Sequence, residues 1–145
     1  MATFHRGLLP AILVFLPLLF IATVVSQLES VHGAEAGAQR GKYIVEGVAK
    51  CIECHTPRDG SGKLKESAYL RGAPIPVNAP PYKNMKWALQ APNIAGLPGY
   101  TEADGIRLLT EGINRNGDRP NPPMPEFRMT REDARAVVAY LKSLE

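Results

Sequence analysis

Cysteine is almost absent from this chain: 145 residues contain two, Cys51 and Cys54. That excludes a framework of several disulfides. Histidine is nearly as scarce. His55 follows the second cysteine directly, and His5 and His32 are the only others. Both fall in the N-terminal stretch, so a zinc site built on Cys51, Cys54 and His55 lacks a fourth protein ligand. Aromatic residues make up 7%, whereas Gly and Pro supply 13 residues each. This composition describes a loop-rich domain whose core needs outside help, of the kind a bound cofactor gives. There is no block of like charge either. The 17 Lys and Arg residues are scattered among 14 Asp and Glu, for a net charge of +3. That balance leaves no nucleic-acid footprint and only a weak preference for an acidic partner or a membrane surface. No internal repeat occurs, and the length allows one core.

What is present begins with a hydrophobic run. After His5 and Arg6 the sequence from Leu8 to Val25 carries no charge, about the minimum length that crosses a hydrocarbon core as a helix. A positive start, an apolar run and the A-x-A-like Ala34-Glu35-Ala36 suit an export signal. The length of the run suits an uncleaved anchor equally. A buried core helix fits poorly, because Pro10 and Pro17 interrupt the run and it has no polar face. The expected organisation is a signal peptide or membrane anchor with a short tether over 1–36 and one domain over 37–145. In both readings that domain lies outside the cytoplasm, in the periplasm or on the outer face of the membrane.

Ser26 to Arg40 is small, polar and Gly/Ala-rich, and reads as a tether. In GKYIVEGVAKCIEC, Ile44, Val48, Cys51 and Ile52 recur at i, i+4, i+7 and i+8, which predicts one helix with Cys51 on its buried face. Thr56 to Tyr100 shows no sustained period and is rich in proline. Loops of that length fit a compact domain when they wrap something. A second helix is predicted from the capping box Thr101-Glu-Ala-Asp104, with Ile106, Leu109 and Ile113 at helical spacing. A third follows Thr130, with Asp133 at N3 and a stripe of Ala134, Val137, Val138, Leu141 and Leu144.

The pentapeptide Cys51-Ile52-Glu53-Cys54-His55 then has four chemical readings. A disulfide across two residues closes only a small ring with little entropic gain. Zinc lacks a ligand. A thioredoxin-like redox pair belongs after a strand at the start of a helix, whereas this pair ends a helical pattern. Covalent haem attachment remains: CxxCH is its sequence signal, with the two thiols as attachment points and His55 within reach of the iron. A haem-ligating imidazole needs an acceptor for its other ring nitrogen, and the expected acceptor is the carbonyl of Pro74 or Pro76. If the iron carries electrons, a sixth ligand is expected, and no histidine is left in the exported part. Met124, held in Pro122-Pro123-Met124-Pro125, is the chosen candidate over Met85 and Met129. Met129 is expected to act as a staple beside the Thr130 cap, and Met85 as core filling. Arg58, Arg71, Trp87 and Asn93 are of types that hold haem propionates, without being singled out further.

From about Gly41 to Leu144 these residues resemble the class I monohaem c-type cytochromes. The attachment motif falls on Cys51, Cys54 and His55, and the distal methionine motif on Pro123-Met124-Pro125. The resemblance implies an all-α fold with crossed N- and C-terminal helices around one covalent haem c. Gly41 or Gly47 with Tyr43, and Tyr140, are expected at the crossing. The strings CHTPRDGSG, PNI, MPEFRMT and AVVAYLKSL are similar to cytochrome subunits that serve membrane-bound, periplasm-facing alcohol and gluconate dehydrogenases. Those subunits usually carry three haems, and CxxCH occurs here once. The expected function is one-electron transfer between such a dehydrogenase, or a quinol-oxidising complex, and an acceptor, with no enzymatic activity of its own. The rival is a haem-based ligand sensor or peroxidase-like enzyme with an open distal site.

Overall fold

The last helix organises the rest. In α4, Arg131–Lys142, the Thr130 side chain accepts from the N–H of Asp133 and so caps the first turn. Its buried side carries Ala134, Ala136, Val137, Val138, Tyr140 and Leu141. The computed structural model describes residues 35–81 and 84–144; the apolar run Leu8–Val25 lies outside the described residues. Among the described residues no helix is long and apolar enough to cross a membrane.

The unit Gly37–Glu145 is mostly helical, with very little strand. α1, residues 35–43, runs into a π turn, Ile44–Val48. Next come α2, Cys51–His55, a 3-10 turn at Glu66–Ala68, β1, Ala73–Pro74, β2, Gln90–Ala91, and α3, Glu102–Glu111. α3 packs on α4, the π turn packs on both α4 and α2, and α2 packs on β1. The core is built from Ile44, Val45, Leu70, Ala95, Ile106 and Leu109 against the α4 stripe.

The first and last helices meet in close contact, and the small residue at that contact is Gly41. A Cβ there would lie 2.0 Å from the Ala136 carbonyl oxygen and 2.8 Å from Tyr140 Cβ, so only a hydrogen fits. Gly47 meets nothing but the Tyr43 ring, and Tyr43 is 59% exposed; the buried aromatic at the contact is Tyr140. Arg40 Nε donates to Asp133 Oδ1 at 3.0 Å across the same junction.

Two expectations about elements are corrected. The helix expected through GKYIVEGVAKCIEC is broken: the π turn closes with Ala49 N–H on Ile44 O at 2.7 Å, and Lys50 takes a left-handed conformation, φ 51°, before α2 starts. The wider turn shifts the buried face, so Val45 is buried and Val48 is 61% exposed. α3 stops at its C-cap Gly112, φ 71°, so Ile113 lies beyond the helix. Leu144 likewise falls past the end of α4 yet packs on the core.

Candidate functional site

His55 closes the single turn of α2 and is buried. Two bonds on the same strip of backbone fix it. The N–H of Gly72 donates to His55 O at 2.8 Å, and His55 Nδ1 donates to the Pro92 carbonyl at 2.8 Å. β1 and β2 bring these together: they pair antiparallel with Ala73 opposite Ala91, which sets Gly72 beside Pro92. Gly72 has φ 90°, and a Cβ there would lie 2.8 Å from Ala91 O and 2.9 Å from Asn93 N. Only glycine suits that approach. The acceptor is therefore Pro92, and the expectation of Pro74 or Pro76 is corrected: the strand pairing brings a carbonyl distant in sequence to the ring.

Burial holds the His55 imidazole below its usual pKa, partly offset by the Pro92 carbonyl, so the ring is neutral at pH 7. With Nδ1 committed as donor, Nε2 carries the lone pair. Behind it, buried Thr56 Oγ1 accepts from Leu70 N–H at 2.9 Å. Leu70 O in turn accepts from Ile94 N at 2.9 Å and Ala95 N at 3.2 Å. The Pro92 segment is thereby tied to the turn that carries His55.

Cys51, Cys54 and His55 border a cavity of about 610 Å³ whose walls also include Ile94, Leu109, Val137, Val138 and Leu141. That volume is typical of a cofactor site, and the lining is mainly apolar. Both cysteines are free and half-buried. Burial pushes the Cys51 thiol up to about 11, the opposite of what a redox-active thiol needs. Among the described residues no group of three or more His, Cys, Asp and Glu is placed to hold a metal ion.

The loop before α4 forms another part of the wall. Pro120, Asn121, Pro123, Met124, Pro125 and Phe127 line the same cavity. The loop is tied down by Ala88 N–H on Pro122 O at 2.7 Å and by Met129 N–H on Leu109 O at 3.0 Å. Met129 is partly buried and packs on the core. Met85 is 44% exposed, which corrects its reading as core filling: it sits on an outward loop. Among the described residues Met124 alone of the three methionines borders the cavity.

Of the four polar residues considered for propionates, Asn93 borders the cavity. Arg58 is engaged with Glu53 and with Gly62 O. Arg71 is exposed, and Trp87 Nε1 is buried without a partner among the described residues. Sequence reasoning missed Lys50, Tyr100, Asn114, Arg115 and Asn116, which also border the cavity. Tyr100, Asn114, Arg115 and Asn116 lie in segments with no periodic signal, whereas Lys50 lies inside the stretch expected to be helical. Arg115 is held by Gly99 O at 2.7 Å and over the Tyr100 ring at 5.5 Å.

The residues fit a covalent haem. Two unpaired thiols, a neutral imidazole with its donor nitrogen already committed, and a thioether share one largely apolar cavity. These features define a small helical protein with a CxxCH attachment motif on a cofactor cavity. The chain belongs to the cytochrome c family: the family model described as Cytochrome c matches residues 38–145. Membership implies covalently bound haem c and makes this an electron-transfer domain.

Three relatives carry the likeness further. A diheme cytochrome c-type protein of Cereibacter sphaeroides is 32% identical over 109 residues, covering 72% of this chain and 34% of that protein. The fructose dehydrogenase cytochrome subunit of Gluconobacter japonicus is 30% identical over 115 residues, covering 72% and 21%. The gluconate 2-dehydrogenase cytochrome c subunit of Pantoea cypripedii is 31% identical over 118 residues, covering 72% and 25%. The match thus spans about a third or less of each of these proteins.

Proposed function

We infer that this chain is a one-electron carrier with one haem c, attached through Cys51 and Cys54 and ligated by His55 and Met124. When bound, the haem supplies a ferrous/ferric couple. The polypeptide does the rest. Cys51 and Cys54 anchor the cofactor, and Pro92 O holds the His55 ring in the tautomer that leaves Nε2 free to ligate. The proline-rich loop presents Met124 at the cavity wall. The observation that carries this reading is the convergence of Cys51, Cys54, His55 and Met124 on one cavity. A single CxxCH supports one haem.

The carrier acts outside the cytoplasm, with residues 1–36 as a signal peptide or an anchor and 37–145 as the cytochrome domain. Its donor is a periplasm-facing dehydrogenase or a quinol-oxidising complex; the likeness to cytochrome subunits of fructose and gluconate dehydrogenases supports the dehydrogenase. The net charge of +3 favours docking to an acidic partner at low salt.

The test compares the haem-loaded native chain with Met124→Ala. The variant should keep its covalent haem, show a lower reduction potential and bind carbon monoxide rapidly when reduced, whereas the native protein resists it. An unchanged potential with unchanged resistance would move the sixth ligand to Met85 or Met129. Rapid binding by the native protein would favour the sensor or peroxidase-like reading.

A further inference from the structure

The loop that carries Met124 is closed at its neck by charge. One oxygen of Glu126, Oε2, accepts from Arg119 Nη1 and, at 3.0 Å, from Arg128 Nη2. A single carboxylate thus joins the chain ahead of Met124 to the chain behind it. Pro120, Pro122, Pro123 and Pro125 lie between. With φ fixed at each, a loop held at its neck has few ways to move its tip.

The clasp rests on the end of α3. That helix has no basic residue in its last turn and ends at Gly112. The Arg128 guanidinium lies over this glycine so closely that a Cβ there would meet Nη1 at 2.6 Å and Glu126 Cβ at 3.4 Å. A cation at a helix C-terminus is favoured by the macrodipole. Arg128 Nη1 also donates to Phe127 O at 2.8 Å. On the upstream side, Asn114 Oδ1 accepts from the N–H groups of Asn116 and Asp118 at 2.9 and 3.0 Å, which fixes the turn leading to Arg119. An isolated exposed ion pair does little. Here one carboxylate is shared by two guanidiniums, one of them docked on a helix end.

We propose that Glu126 is a positioning residue for Met124: through Arg119 and Arg128 it fastens the Met124 loop to the C-terminus of α3 and so keeps the distal side of the cavity closed to outside ligands. The proposal rests on the reading of Met124 as sixth ligand. Glu126 itself does not border the cavity.

The experiment measures the rate of carbon monoxide binding to the reduced, haem-loaded full chain. Glu126→Gln should bind roughly two- to tenfold faster than native, the range expected for losing two exposed charge pairs. Arg40→Gln removes the exposed pair with Asp133 at the helix contact and should leave the rate unchanged. Raising salt from about 10 mM to about 1 M should speed binding by native protein and not by Glu126→Gln. Native-like rates in Glu126→Gln beside fast binding in Met124→Ala would overturn the clasp and leave Met124 as ligand. Native-like rates in Met124→Ala would overturn both. Should Glu126→Gln fail to hold haem, the salt series on native protein decides, and a flat response overturns the clasp.

Discussion

Thr56 carries more of the site than its position after the motif suggests. Its hydroxyl is buried and accepts from Leu70 N–H, and Leu70 O holds Ile94 and Ala95. Thr56→Val keeps the shape and leaves that N–H without a partner, which should cost about 1–3 kcal/mol. Denaturant unfolding of the haem-loaded protein measures this, and a loss within ~0.5 kcal/mol would show the bond to be dispensable. At this scale the sequence was legible where chemistry depends on identity. Two lone cysteines followed by histidine have few uses, and a methionine between prolines is an uncommon device. What could not be read was the acceptor for Nδ1. Pro92 reaches His55 only through the pairing of Ala73 with Ala91, and two-residue strands leave no periodic trace. The cavity residues Asn114 and Arg115 were hidden in an aperiodic turn, and Lys50 inside a stretch that fits an unbroken helix.

At the scale of elements, caps announced the helices. Thr101 and Asp104 form the reciprocal box at the start of α3, and Thr130 caps α4. The Thr101 hydroxyl and backbone N–H hold the Asp104 carboxyl below the usual carboxylate range. A depressed folded pKa gives stability that is present above the unfolded value, about 3.9, and is lost as pH falls through the folded one. Asp104→Asn should therefore melt below native at pH 7, and the gap should close as the pH falls below about 4. A gap that stays constant would mean the charge is irrelevant to the cap. The π turn was illegible, because Ile44, Val48, Cys51 and Ile52 also fit an unbroken helix. Only the switch to Val45 as the buried side chain betrays it. The helix contact was half legible: Gly41 and Gly47 read alike in sequence, and packing on Ala136 selects Gly41. Gly41→Ala should push α1 off α4 and cost about 1–3 kcal/mol or more, whereas Gly47→Ala, with its nearest contact at 3.6 Å, should be far milder. Equal losses in chemical denaturation would contradict that assignment.

For the whole molecule, the segment between α2 and α3 has little regular structure and forms part of the wall of a cavity instead of a core of its own. This arrangement suits a composition low in aromatics and rich in Gly and Pro: a haem held in the cavity would give the loops a surface to bury. Removing the attachment points with Cys51→Ser and Cys54→Ser together should abolish covalent haem and leave a chain with a weakened or absent unfolding transition. A fully cooperative transition at the native midpoint would show that the protein core suffices alone. The most direct measurement is made on the full native chain, produced with a haem-attachment system and then denatured. Haem that stays on the polypeptide, in a protein whose reduced native form resists carbon monoxide, is the expected result for a His55/Met124-ligated carrier. Haem that leaves on denaturation, or a reduced native protein that binds carbon monoxide at once, would contradict it.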